Sequence, residues 1–448
     1  MAHLLRAFRH RNYQLFFSGQ LVSLIGTWMQ SVAESWLVYR LTGSAALLGV
    51  AAFCNQIPVF LLAPLGGTAA DRFSRHRILV CTQAVAMVLP LILSVLTFTG
   101  RVQVWHVFVL AGCLGVVNAF DVPARQSFVV EMVGREDLLN AIALNSSMFN
   151  GARVVGPAAA GILVAVVGEA WCFLLNGISY IAVIWGLLAM RMPAPRRERP
   201  PSPIRGALDG FRFVAHRAPV RALLIQIGVL NLSGLPYIVL MPVFAVSVLH
   251  GGSKGLGLLM AATGLGALGG ALSLAARHGV RGLGRWIARS SGAFGVMLVL
   301  FSLSRSYWLS VALLIPVGFS MIVTLAATNT LIQSMVPDKL RGRVMSVYSM
   351  MLLGMAPFGG LWAGFVAERI GAPATVAAGG AVSMIAALVY RVRWPSLRGE
   401  ARELIIAQGL GAGEPSETMT GPAEQVPLRS DIRREQVTKI EPETSGGS

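Results

Sequence analysis

Apolar runs of about twenty residues, divided by short polar links, recur along the chain up to residue 395. A hydrocarbon layer of roughly 30 Å takes about 20 helical residues, so each run predicts one membrane-spanning helix. Twelve are predicted, at 13–38, 44–70, 78–99, 105–126, 139–166, 170–190, 221–248, 255–276, 286–304, 307–333, 343–367 and 373–391. The link between the sixth and seventh runs, 191–220, is the longest and is rich in proline and arginine, with Pro193, Pro195, Arg196, Arg197, Pro200 and Pro201. It divides the body six plus six: an N-terminal bundle over 1–190, a central loop over 191–220 and a C-terminal bundle over 221–395. From 396 to 448 the composition turns to Gly, Pro, Glu and Ser, which predicts a polar, disordered tail with at most a short helix at 399–409. The fold class is an all-α polytopic membrane protein.

Composition supports that reading. Of the 448 residues, 55% are hydrophobic and only 13% charged, where soluble domains carry about 25% charged residues. A net charge of +17 would suggest nucleic acid in a soluble protein. Here basic loops that orient helices account for it, and no nucleic-acid motif accompanies them. With the N-terminus inside, only Arg40, Arg101, Lys254, Arg305 and Arg369 fall outside and Arg153 falls within a span. Both termini and the central loop are therefore expected on the cytoplasmic side of a bacterial inner membrane. The first run is too long for a signal-peptide core and reads as a retained helix. The four cysteines lie in apolar stretches without a Cys-x-x-Cys pair, so neither disulfide nor zinc is expected. No metal cluster or nucleophile elbow is present either, which argues against an enzyme and against any cofactor.

The halves echo each other. Span five carries Asn150-Gly-Ala-Arg153-Val-Val-Gly156-Pro157, and span eleven carries Gly354-Met-Ala356-Pro357-Phe-Gly359-Gly360, one half-chain later. Parallel repeats about an axis along the membrane normal predict such an offset. Ala152 and Gly156 form a small-x-x-x-small face for close packing, and Pro157 and Pro357 bend their helices.

Charges at membrane depth are functional by default, because inserting each costs about 2.5–3.5 kcal/mol. Arg153 is the clearest, some 20 Å into span five. Glu34 lies in the outer third of span one: an interfacial residue reaching water, or a buried proton carrier. Gln30, Asn118, Asn150, Asn231 and Asn329 are either glue between helices or ligands for a substrate.

The link after span two reads Gly67-Thr-Ala-Ala-Asp71-Arg72-Phe-Ser-Arg75-His76-Arg77. It resembles the loop motif of the major facilitator superfamily, Gly-x-x-x-Asp-Arg-x-x-Arg-x-Arg. The blocks Gly26-Thr-Trp28-Met-Gln30, Asn118-Ala-Phe-Asp121-Val-Pro123-Ala-Arg125 and Asn150 to Pro157 resemble the enterobactin-exporter branch, a group of siderophore and drug exporters. The resemblance implies a secondary transporter that exports a small organic molecule in exchange for protons, by rocking its two bundles, as a monomer among lipid. A proton entering brings about 2.3 kcal/mol per 100 mV. It further implies that Asp71, Arg72, Arg75 and Arg77 latch the cytoplasmic side, Asp71 against the start of span eleven near Arg343. Arg75 would meet Asp121, beside Arg125, on span four. Arg153 and Glu34 would carry coupling or substrate. A proton-independent facilitator or lysolipid flippase of the same fold, and less directly a polytopic enzyme, stay open.

Overall fold

The computed structural model describes residues 6–408 apart from 135, 191–202 and 278. A 3-10 turn (Arg6–Arg9) leads into α1 (Arg11–Thr42), α2 (Ala45–Arg72), α3 (Arg75–Phe98), α4 (Val104–Val133), α5 (Leu138–Val166) and α6 (Glu169–Leu188). α7 (Pro203–His216) belongs to the central link. α8 (Ala218–Val229) opens the seventh span, which continues through a π turn (Leu230–Gly234), a 3-10 turn (Leu235–Ile238), α9 (Met241–Val243) and a second π turn (Phe244–Val248). The remaining spans are α10 (Gly252–Ala275), α11 (Leu283–Leu303), α12 (Tyr307–Met335), the pair α13 (Asp338–Leu353) and α14 (Met355–Ile370), and α15 (Ala372–Ala407).

Eleven of these stretches are long and apolar enough to cross a membrane. The twelfth span is α1, whose 32 residues suffice in length but include Gln20, Gln30 and Glu34. Hydrophobicity alone under-reads it because those polar side chains face protein rather than lipid. The spans form the two six-helix bundles expected. In the first, α1 packs on α6, α2 on α4, and α3 on both α4 and α6; in the second, α10 packs on α12, and α11 on α12 and α15. Two seams join the halves, α2 with α14 and α5 with α10. For orientation, the basic end is where α1 begins and α15 finishes; the other is the opposite end.

Three expectations change. α2 does not stop at Gly67 but runs on to Arg72, and the chain turns at Phe73 and Ser74. Gly66, rather than Gly67, is the glycine that packing demands. A Cβ on Gly66 would lie 1.8 Å from the carbonyl oxygen of Ala119 on α4, whereas one on Gly67 would meet nothing within 4 Å. Second, the helix allowed at 399–409 is present, but as the end of the twelfth span rather than a separate element. α15 passes through Pro395 to Ala407, because Trp394, Ala401 and Leu404 are buried in one cluster with Val214, Leu224, Leu283 and Val344. Residues 409–448 lie outside those described. Third, the central link contains a helix: a Cβ on Gly210 of α7 would sit 2.5 Å from the carbonyl oxygen of Arg343, so α7 lies directly on α13. The rest of that link, 191–202, is outside the described residues.

Gly66→Val should therefore destabilise the N-terminal bundle by about 1–3 kcal/mol or more through overpacking, seen as a lower Tm in detergent. Gly67→Ala should hold or raise Tm, since it removes helix-interior backbone entropy without a clash. Equal losses at both positions would contradict this packing.

Candidate functional site

Arg153 lies about midway along the 29 residues of α5, at the seam between the halves. Pro157 lacks the N–H that would bond the Arg153 carbonyl. That carbonyl faces α10, where a Cβ on Gly264 would approach it to 2.6 Å. The guanidinium lies 5.3 Å over the Trp28 ring of α1, a cation–π contact. It also points a nitrogen at Met321 Sδ of α12, 3.9 Å away. Phe149 packs edge-on against Trp28 at 5.5 Å, and Tyr237 of the seventh span is within electrostatic reach. No carboxylate pairs with Arg153 among the described residues. Tyr237 is 2% exposed, and its hydroxyl faces Thr263 of α10 as well as Arg153. A cation, an aromatic wall and a buried hydroxyl thus converge from both halves at mid-depth.

Glu34 does not join them. Trp28 and Glu34 sit about 120° apart round α1, so Glu34 turns away from the seam into the N-terminal bundle. It shares a pocket with Leu89 and Leu93 of α3 and Val107, Leu110, Ala111 and Leu114 of α4. Gln30, four residues earlier on the same face, hydrogen-bonds the carboxylate. Gln30 Oε1 in turn accepts from Asn176 Nδ2 of α6 at 2.5 Å. Gln30 and Asn176 are buried while Glu34 itself is half-buried, and this chain removes Gln30 from the space between the halves.

Asp121 is likewise internal, 1% exposed. Its Oδ1 accepts from Thr82 Oγ1 and Gln83 Nε2, both at 2.8 Å, and its Oδ2 pairs with Arg125. Arg125 also donates to Gln20 at 3.3 Å. The expected Arg75–Asp121 pair is absent: Arg75 meets Glu131 at 2.7 Å. The reason is helix length. α4 runs to Val133 rather than 126, which leaves Asp121 about 18 Å from its end and brings Glu131 beside the link. Arg75 Nε also donates to the Ala70 carbonyl at 3.2 Å. Asp71, Arg72 and Arg77 are exposed, and Asp71 has no polar partner among the described residues. α13 starts at Asp338, five residues before the expected Arg343.

The asparagines divide. Asn150 and Asn231 are buried and donate to their own helices, to Ser146 O at 2.8 Å and Ile227 O at 3.0 Å. Asn150 Oδ1 has no partner. Asn329 accepts from Gln333 of its own helix, and Asn118 is half-buried. Ala152, Gly156 and Pro357 are buried as packing predicts; a Cβ on Gly156 would lie 2.5 Å from Trp28 Cβ. At the basic end Asp137 binds His10 at 3.0 Å and Arg6 at 3.2 Å. The His10 hydrogen bond, with the Arg6, His10 and Arg9 charges, holds its carboxyl below the usual range.

Glu131 is the residue that the sequence reading passed over; Trp28, Phe149 and Tyr237 were already readable as pocket lining. Around Tyr237, Gly234-Leu-Pro236 and then Pro242 interrupt the seventh span. Broken helices at membrane depth occur where backbone lines a cavity.

Residues 3–410 match the family model described as a transmembrane secretion effector. The staphyloferrin A transporter of Staphylococcus aureus is 25% identical over 381 residues, covering 84% of this chain and 94% of that protein. The enterobactin exporter of Citrobacter koseri is 24% identical over 361 residues, covering 79% and 86%. Among solved structures, a POT family transporter in complex with 5-aminolevulinic acid superposes with a TM-score of 0.69 at 10% identity, covering 87% and 97%. A bacterial homologue of the human lysosomal transporter Spinster gives 0.59 at 16% identity, covering 90% and 98%. These last two bear on the fold.

Removing one partner of a buried ion pair costs about 3–5 kcal/mol, whereas a half-exposed pair contributes about 0–1 kcal/mol. Asp121→Ala should therefore lower Tm far more than Arg75→Ala. Similar losses from the two would mean that Asp121 is not the internal node described.

Proposed function

The chain belongs to the transmembrane secretion effector family of the major facilitator superfamily, and on that premise we propose that it exports a small acidic organic molecule of the siderophore type across the bacterial cytoplasmic membrane. It is a multi-pass membrane transporter rather than an enzyme, as its relatives are. The observation that carries the cargo reading is Arg153 at the seam, without a carboxylate partner among the described residues, walled by Trp28 and near the buried Tyr237 hydroxyl. A cation kept at membrane depth without a protein acid is stabilised by an anionic guest. Carboxylates and catecholates suit it in charge, and an aromatic or flat guest suits the Trp28 and Phe149 rings. Two relatives are named for staphyloferrin A and enterobactin, which supports cargo of this general class.

The seams support a cycle of alternating access. Side-chain bonds join the halves at the opposite end, Tyr39 to Ser247 at 2.7 Å and Ser44 to Glu368 at 3.1 Å. At the basic end Asp71 stands exposed without a partner among the described residues. With the basic end in the cytoplasm, this is a cargo-loading shape, and Asp71, Arg72 and Arg75 act when the basic end closes. Glu34 is the proton carrier: an acid in an apolar pocket, held by Gln30 and away from Arg153. Proton and cargo thus use different places in the N-terminal bundle, coupled through α1, which carries both Glu34 and Trp28.

Inside-out vesicles containing the chain should accumulate an iron-free carboxylate or catecholate siderophore when their lumen is acid, and a protonophore should abolish the gradient. Glu34→Gln should lose proton-driven accumulation by about tenfold or more while retaining downhill exchange. Accumulation that ignores the protonophore would turn the reading to a facilitator; absence of any uptake of acidic cargo would overturn it.

A further inference from the structure

α2 and the eleventh span, α13 with α14, run antiparallel across the seam between the halves. Each one's last turn therefore lies beside the other's first. At the opposite end this juxtaposition is occupied. Ser44 is the N-cap of α2, with extended backbone (φ −101°, ψ 125°), and its Oγ accepts from Leu47 N–H at 3.3 Å. The neighbouring N–H, that of Ala46, donates instead to Glu368 Oε2 at 3.1 Å. Ser44 Oγ donates to the same oxygen, also at 3.1 Å. Glu368 belongs to the last turn of α14, so a carboxylate of the C-terminal half completes the cap of a helix in the N-terminal half. Ala46 is buried, and its N–H is one of the orphan donors that every helix start must satisfy.

The backbone beneath the cap leaves no slack. A Cβ on Gly49 would lie 2.7 Å from the Gly360 carbonyl oxygen, and one on Gly364 would lie 2.7 Å from that of Ala45. α2 and α14 are thus in van der Waals contact just below the capped end, and parting them there separates Glu368 from Ala46. Among the described residues the second seam has no such acid in contact: on the N-terminal half's side, Glu169 pairs with Arg40 of its own half.

We infer that Glu368 is the latch of the opposite end, the reciprocal of Asp71 on the same pair of helices. Asp71 stands in the last turn of α2, at the end where α13 begins. In the shape described here Glu368 is engaged and Asp71 is free. A cycle in which one carboxylate docks on the partner's helix start while the other releases gives each closed end its own capping interaction. Negative charge at a helix start is favourable through the unsatisfied N–H groups and the helix dipole. Glu368 is a positioning residue: it touches neither cargo nor proton, and it sets the population of the two shapes. The inference rests on the transport reading for its purpose but not for its test.

The test measures shape without cargo. The full chain, with its four native cysteines replaced, carries spin labels at Arg101→Cys and Arg305→Cys, exposed positions at the opposite end of the two halves. In nanodiscs, pulsed electron spin resonance gives the distance distribution between them. Glu368→Gln, which keeps shape and loses charge, should raise the long-distance, opposite-end-open population about threefold to fivefold, and Glu368→Ala by more. Asp71→Asn should leave that population unchanged or lower it. If Glu368→Gln, monodisperse and with unchanged Tm, leaves the distribution where it was, the latch is overturned. Should Glu368→Ala fail to fold, Glu368→Gln alone decides. A shifted distribution in a chain that moves no acidic cargo would uphold the latch and overturn only the export reading.

Discussion

Glycine set against backbone is the contact on which the rest depends. Within lipid, helices gain nothing by hiding apolar surface from each other, so association relies on close packing and on hydrogen bonds. The halves meet where side chains are missing: Gly49 against Gly360 and Gly364 on one seam, Gly161 and Gly264 on the other, where Gly257 lies within contact of Pro157 and Gly161. These contacts lie toward the opposite end and at mid-depth. They hold Arg153 at a boundary between bundles rather than inside one, and they let Glu368 reach Ala46. A single larger side chain on either seam would part the bundles and alter all of these.

The polar groups at depth sort by which boundary they face. Asp121 is fully supplied by Thr82, Gln83 and Arg125 within one bundle, so it is built to stay as it is. Glu34 has one amide partner and an apolar wall, a setting in which gaining or losing a proton changes much. Arg153 has an aromatic face, a sulfur and, among the described residues, no acid, a setting that suits the anionic guest proposed for it. Support, coupling and recognition are thereby separated, although all three residues lie in the first half of the chain.

Much of this was legible in the sequence, for identifiable reasons. The six-plus-six division rests on apolar run length, and bilayer thickness enforces that signal. Arg153 stood out because a cation in such a run is costly. The partner of Arg75 was not legible: it depends on where α4 ends, and Val129, Met132 and Val133 extend that helix past the last long apolar run by packing on the link. Composition allowed a helix at 399–409 but not its continuity with the last span, where Trp394, Ala401 and Leu404 are spaced to bury one face against α8 and α11 while polar residues fill the other. Glu368 gave no sign at all, since an exposed acid near a helix end is ordinary. Only the antiparallel partner beside it gives it meaning.

The central claim is that Arg153 receives the acidic group of the cargo at the seam between the halves. Isothermal titration of purified protein in detergent measures this directly, comparing a carboxylate siderophore with its neutral ester on wild-type and on Arg153→Gln protein. The account predicts that wild type prefers the acid over the ester by about tenfold or more, as charge-assisted hydrogen bonds imply, and that Arg153→Gln loses this preference. An undiminished preference for the acid in Arg153→Gln would contradict it.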